Sequence, residues 1–105
     1  MRIVIDSNVI IAMLIRPGIP IDTFFNENLE IYAPYLLLDE IESHRDIILK
    51  KSFLERDDLM GLRTIIISKI RFISETEFKE QYYQAESICP DRKDVPFFAL
   101  ALSLN

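Results

Sequence analysis

The chain has 105 residues, 50% of them hydrophobic and 28% charged, with a net charge of −5. Residues 1–105 read as one globular domain with enough apolar material for a core, which excludes a disordered protein and argues against tight nonspecific binding to phosphate backbones. Two glycines exclude P-loop and dinucleotide-binding fingerprints, a single cysteine (Cys89) excludes an internal disulfide, and the apolar runs fall far short of the ~20 residues of a membrane helix.

With no positively charged leader ahead of an apolar stretch, the expected address is a reducing cytoplasm. Acidity does not exclude a metal-dependent nuclease, because clustered carboxylates keep such a site negative until the cation arrives.

The first element is a strand over residues 2–6. Ile3-Val4-Ile5 is a β-branched run without alternation, as in a strand covered on both faces, and it ends on Asp6 followed by Ser7 and Asn8. In open α/β sheets, ligands bind just beyond the carboxyl ends of such strands. A short helix over 8–15 follows, stopped by Arg16-Pro17-Gly18, and a second is expected over 21–28, with Pro20 at its start. Residues 30–33 form a second strand, and Pro34 opens a long helix to residue 51. Ser52 with Glu55 three residues on has the pattern of a capping box for a helix to residue 68. Residues 71–73 are a third strand, Thr76 caps a helix to 88, and after the loop Asp91-Arg92-Lys93 a last helix runs from 94 onward. The order β-α-α-β-α-α-β-α-α favours a parallel sheet flanked by helices.

Two polar residues break the pattern. On a wheel of ~100° per residue, the helix from Pro34 gathers Leu36, Leu37, Ile41, Ile47 and Ile48 on one arc, and Asp39, Glu42, Ser43, Asp46 and Lys50 opposite. Glu40 and His44 fall within the apolar arc and are expected to face the protein. A buried carboxylate without a partner neutralises or finds a cation, so Glu40 is a candidate metal ligand; the plainer alternative is a contact with His44 four residues on. A lone histidine beside a core is more often a hydrogen-bonded structural group, so His44 is placed behind the ligands, supporting them. Asp6 and Asp94 have plain alternatives as helix caps, and Asp91 as a solvated loop charge. Their convergence with Glu40 favours one site, with Ser7 and Asn8 beside it. Hard cations such as Mg²⁺ or Mn²⁺ suit such oxygen donors.

These residues resemble the PIN-domain nucleases. The matches are Ile3-Val4-Ile5-Asp6-Ser7-Asn8-Val9-Ile10, Leu38-Asp39-Glu40-Ile41, and the segment Asp91-Arg92-Lys93-Asp94-Val95-Pro96-Phe97-Phe98-Ala99-Leu100-Ala101. The resemblance implies a three-layer αβα fold on a short central parallel sheet and a metal-dependent endoribonuclease, with Asp6, Glu40 and Asp94 catalytic and binding Mg²⁺ or Mn²⁺ and Asp91 a further ligand. It also implies an RNA substrate, a toxin's role opposite an antitoxin protein, and a homodimer. Family members usually continue past this helix into another strand and a hydrophobic-(T/S)-x-D segment, whereas this sequence stops at Asn105. The last strand and its acid are therefore expected to be missing, and an apolar last helix is expected to want cover from a tail or a partner subunit.

Two other functions compete. An aspartyl phosphotransferase of the haloacid-dehalogenase kind would use Asp6 as nucleophile, but it wants an acid two residues on, where this chain has Asn8. A non-catalytic relative binding RNA or protein is consistent with an incomplete set of acids. Lys50, Lys51, Arg56 and Arg63 form a small basic group, expected to be a solvated face.

Overall fold

The computed structural model describes residues 1–104, with residues 19 and 20 described by their backbone alone. Strands β1 (Arg2–Val4), β2 (Glu30–Pro34) and β3 (Ile70–Ile73) form a parallel sheet in the order β1-β2-β3, with Ile3 opposite Ile31 and Ile31 opposite Ile70. Parallel neighbours need crossovers, and helices supply them. Between β1 and β2 lie α1 (Ser7–Ile15) and α2 (Ile19–Phe24); between β2 and β3 lie α3 (Leu36–Ser43), α4 (Arg45–Lys51) and α5 (Arg56–Lys69). After β3, two short 3-10 turns lead to α6 (Tyr82–Ile88), and a further 3-10 turn, Arg92–Asp94, leads to α7 (Val95–Leu104).

The alternation of strand side chains sorts the molecule into three layers. Ile3, Ile5, Ile31, Ala33, Ile70 and Phe72 pack with the buried residues of α1 to α5, among them Ile10, Leu14, Leu37, Ile41, Leu59 and Ile66. Val4, Tyr32 and Ile73 pack on the other face against Phe78, Ala85, Val95, Ala99 and Leu100. The result is an αβα sandwich on a short parallel sheet, as expected. No helix among the described residues is long and apolar enough to cross a membrane.

Several boundaries differ from the sequence reading, each for a local reason. Pro34 closes β2 instead of opening a helix, in keeping with proline's place at strand ends. The long helix to residue 51 is two helices, broken at His44 (φ −101°, ψ 11°). There Ser43 Oγ donates to the Glu40 carbonyl at 2.8 Å, and His44 Nδ1 lies 2.8 Å from the same oxygen. Side chains thus satisfy a carbonyl that the next turn of helix would have used. The break turns Ile47 outward, 45% exposed, while Ile48 stays in the core. It also leaves His44 on the surface and not among apolar neighbours.

The capping box is not formed either. Glu55 is the N-cap of α5 without a side-chain bond, and Ser52 Oγ donates to the Leu14 carbonyl at 2.7 Å while accepting from the Leu54 N–H at 3.1 Å. Ser52 therefore ties the α4–α5 turn to the end of α1. Helix α2 starts two residues early and stops at Phe24, where Asn26 Oδ1 accepts the Asn28 N–H and begins a turn. The helix expected from Thr76 is a pair of 3-10 turns around the fully buried Phe78, with only Tyr82–Ile88 α-helical.

Two stability outcomes follow, both read by urea unfolding. Ser52→Ala strands a part-buried carbonyl and lowers stability by about 1–2 kcal/mol, while Glu55→Ala stays within about 0.5 kcal/mol. If the two effects were reversed, the capping box would be the correct description. Gly61 lies inside α5 with nothing within 4 Å of the position a Cβ would take, so Gly61→Ala raises stability by about 0.5–1 kcal/mol.

Candidate metal centre

The acidic end of β1 is built by one continuation of the sheet ladder. The Ile5 N–H donates to the Tyr32 carbonyl at 3.0 Å, after which the chain turns directly into α1. Asp6 is the N-cap of that helix, with extended backbone (φ −83°, ψ 142°), and its Oδ1 accepts the Asn8 N–H at 3.0 Å. Ser7, only 5% exposed, places its Oγ 3.5 Å from the same oxygen. The carboxylate lies at the positive end of the α1 dipole. The capping and site readings of Asp6 are therefore compatible, since capping occupies Oδ1, and Oδ2 makes no hydrogen bond among the described residues.

Asp94 comes to the same place from the far end of the chain. Asp91 Oδ1 accepts the Lys93 N–H at 3.0 Å and its carbonyl accepts the Asp94 N–H at 3.1 Å, which fixes the 3-10 turn at the mouth of α7. Helix α7 lies across β1 and β2. Asp6 and Asp94 then line one cleft of about 270 Å³, together with Val4, Ile5, Phe97, Phe98 and Ala101. Both acids are exposed, so their carboxylates stand at the solvent-facing side of the cleft.

Glu40 is half-buried on α3, and its Oε1 is enclosed without a hydrogen-bond partner. An unsatisfied buried carboxylate oxygen is costly and calls for a cation. Glu40 is not among the residues lining the cleft of Asp6 and Asp94, and neither is Asp91, whose carboxylate caps its own turn. Among the described residues, no three Asp, Glu, His or Cys side chains lie close enough together to surround a metal ion. The geometry thus pairs Asp6 with Asp94 and leaves Glu40 as a separate enclosed donor. Of the supporting residues, Ser7 and the Asn8 main chain contact the Asp6 carboxylate, whereas His44 braces the Glu40 carbonyl. The Asn8 side chain is exposed, and the residue lines a different groove along α1.

Sequence reasoning used Cys89 only to exclude a disulfide; the residue follows α6 and is half-buried near Asp94. Burial pushes its thiol pKa up, and the Asp94 carboxylate pushes it further in the same direction. The outward signal in the sequence was only proximity to the late acidic segment.

The chain matches the family model described as PIN domain over residues 4–105. No curated protein and no solved structure matches it.

The neighbourhood of Asp94 has a readout that needs no activity. A raised thiol pKa means that Cys89 is mostly protonated at neutral pH, and removing the Asp94 charge brings that pKa down. Asp94→Asn therefore speeds alkylation of Cys89 by iodoacetamide between pH 7 and 9. An unchanged rate would put the carboxylate out of reach of the thiol.

Proposed function

From the premise that this chain belongs to the PIN-domain family, a family of nuclease-like modules that are generally dependent on divalent metal ions, we propose that it is a metal-dependent endoribonuclease. The observation that carries the reading is the meeting of Asp6 and Asp94, from opposite ends of the chain, in one cleft at the carboxyl end of β1. In this reading Asp6 and Asp94 hold Mg²⁺ or Mn²⁺ in the cleft, and Glu40, which does not line it, would join them as a further donor when the ion binds. Their fit is supported by hard oxygen donors throughout and by the unpartnered, enclosed Oε1 of Glu40. When bound, the cation polarises the phosphodiester and lowers the pKa of an attacking water.

The protein's own part is positioning. The Asn8 N–H and Ser7 Oγ fix Asp6 through Oδ1 and leave Oδ2 without a hydrogen bond among the described residues. Asp91, through the 3-10 turn it caps, sets the entry of α7 and with it Asp94. Phe97 and Phe98 wall the cleft and exclude water from one side. The toxin role, an antitoxin partner, a homodimer and a cytoplasmic site of action come with the family likeness and rest on it alone.

A second reading, a non-catalytic RNA- or protein-binding module, draws on the absence of a three-donor cluster among the described residues. Cleavage separates the two. Single-stranded RNA is incubated with Mn²⁺ and wild type, Asp6→Asn, Glu40→Gln or Asp94→Asn. Asparagine caps helices as well as aspartate does, so Asp6→Asn keeps the fold and loses only the charge. Removing even an outer partner of a metal ligand costs ~10–100-fold, so each substitution lowers the rate by at least about a hundredfold. Cleavage that survives all three substitutions sinks the site, and wild-type binding without cleavage favours the second reading.

A further inference from the structure

The outer side of α1 is a groove of about 370 Å³ lined by Asn8, Val9, Ala12, Met13 and Arg16. Its ends differ in chemistry. At one, the Asn8 N–H holds the Asp6 carboxylate; at the other, the Arg16 guanidinium sits over the Phe53 ring, 5.1 Å from its centroid. The Phe53 side chain is 72% exposed, yet its backbone is anchored. Its N–H donates to the Ile15 carbonyl at 2.8 Å, and the adjacent Ser52 Oγ donates to the Leu14 carbonyl at 2.7 Å. The ring is thus presented by the last turn of α1, with the guanidinium on one face and solvent around the rest.

The flanking segments carry charges of both signs. Lys50 and Lys51 end α4 ahead of Phe53, and Glu55, Arg56, Asp57 and Asp58 follow it at the start of α5, so Arg16 is the cation set against the ring, while α1 carries no charged residue from Ser7 to Ile15. An anchored aromatic face beside a guanidinium is what a nucleobase and its phosphate recognise, because every base has a stackable face and every linkage a charge. At ~1.5 Å per residue, α1 sets this pair on the order of 15 Å from Asp6.

We propose that the α1 groove is the track by which single-stranded RNA reaches the acidic cleft, with a base stacked on Phe53 and a backbone phosphate held by Arg16. The proposal rests on the ribonuclease reading and adds to it a binding subsite remote from the acids. The groove floor of Val9, Ala12 and Met13 accepts sugars and base edges without reading sequence, so binding is sequence-tolerant.

The test measures binding and cleavage separately. Fluorescence anisotropy with a labelled single-stranded RNA in EDTA reports affinity for wild type, Phe53→Ala, Phe53→Tyr, Arg16→Ala and Asp6→Asn. Phe53→Ala is expected to weaken binding about tenfold or more, and Phe53→Tyr to retain it. Arg16→Ala lowers the salt dependence by about one phosphate contact. Asp6→Asn binds at least as well as wild type. With Mn²⁺, Phe53→Ala raises KM and leaves kcat unchanged, and RNA carrying 5-iodouridine crosslinks to Phe53 on irradiation. Phe53 is exposed, so its variants keep the fold, which circular dichroism verifies.

Unchanged RNA affinity in Phe53→Ala overturns the proposal; if cleavage then still depends on Asp6, the ribonuclease reading stands without it. Binding that depends on Phe53 with no Mn²⁺-dependent cleavage supports the groove and sinks the ribonuclease. If Phe53→Ala spares RNA binding and dissolves a homodimer in sedimentation, the groove is a protein interface and the proposal falls.

Discussion

The acidic end of this molecule depends on one hydrogen bond, from the Ile5 N–H to the Tyr32 carbonyl. It is the last rung between β1 and β2, and it fixes where the chain leaves the sheet. One residue later Asp6 caps α1. Because strand side chains alternate, the same register sends Ile3 and Ile5 under the α1–α5 layer and Val4 under α7. A slip by one residue would exchange the two faces and put Asp6 one position along the strand end. The central strand then carries the chain through Pro34 into α3, which brings Glu40, while α7 crosses β1 and β2 and brings Asp94. Three acids distant in sequence thus take their positions from the pairing of short strands.

Asp6 and Asp94 face one cleft and their like charges repel, although both are exposed and solvent screens much of that repulsion. The structure offsets part of that at Asp6, through the α1 dipole and the Asn8 N–H, and part at the last turn, where Asp91 caps the backbone leading to Asp94. Nothing equivalent is provided for Glu40 Oε1. A fold that stabilises two acids locally and leaves a third oxygen enclosed and unpaired has a deficit that a divalent cation would remove. That deficit belongs to Glu40, which stands apart from the cleft of Asp6 and Asp94.

The sheet and the acidic strand end were legible because parallel strands buried on both faces write themselves as apolar runs, as Ile3-Val4-Ile5 and the β2 segment do. The three-layer architecture followed from their alternation with helices. What sequence could not show were bonds closing over long distances or competing side chains. Ser52 and Glu55 spell a capping box, but the Ser52 hydroxyl is taken by Leu14, 38 residues away. The apolar arc continues smoothly past residue 43, but Ser43 and His44 divert the Glu40 carbonyl and end the helix there, which moves His44 and Ile47 out to solvent. For the site, the wheel position of Glu40 anticipated its enclosure, and the cap and site roles of Asp6 turned out to be compatible. The separation of Glu40 from the cleft was invisible, because it depends on how α3 sits and not on its periodicity.

A net charge of −5 and an acidic cleft are ill suited to holding a polyanion, and the layout of charge along α1 answers that difficulty. At physiological ionic strength the screening length is ~8 Å. The two ends of α1 are on the order of 15 Å apart, nearly two screening lengths. A phosphate beside Arg16 would therefore feel the guanidinium far more than the carboxylates at the other end. On the proposed reading, a cation bound in the cleft would reverse its sign before a phosphodiester entered, and the polymer would be held beside Arg16 and cut at the acids. The uncharged length of α1 between Ser7 and Ile15 keeps the two fields from cancelling.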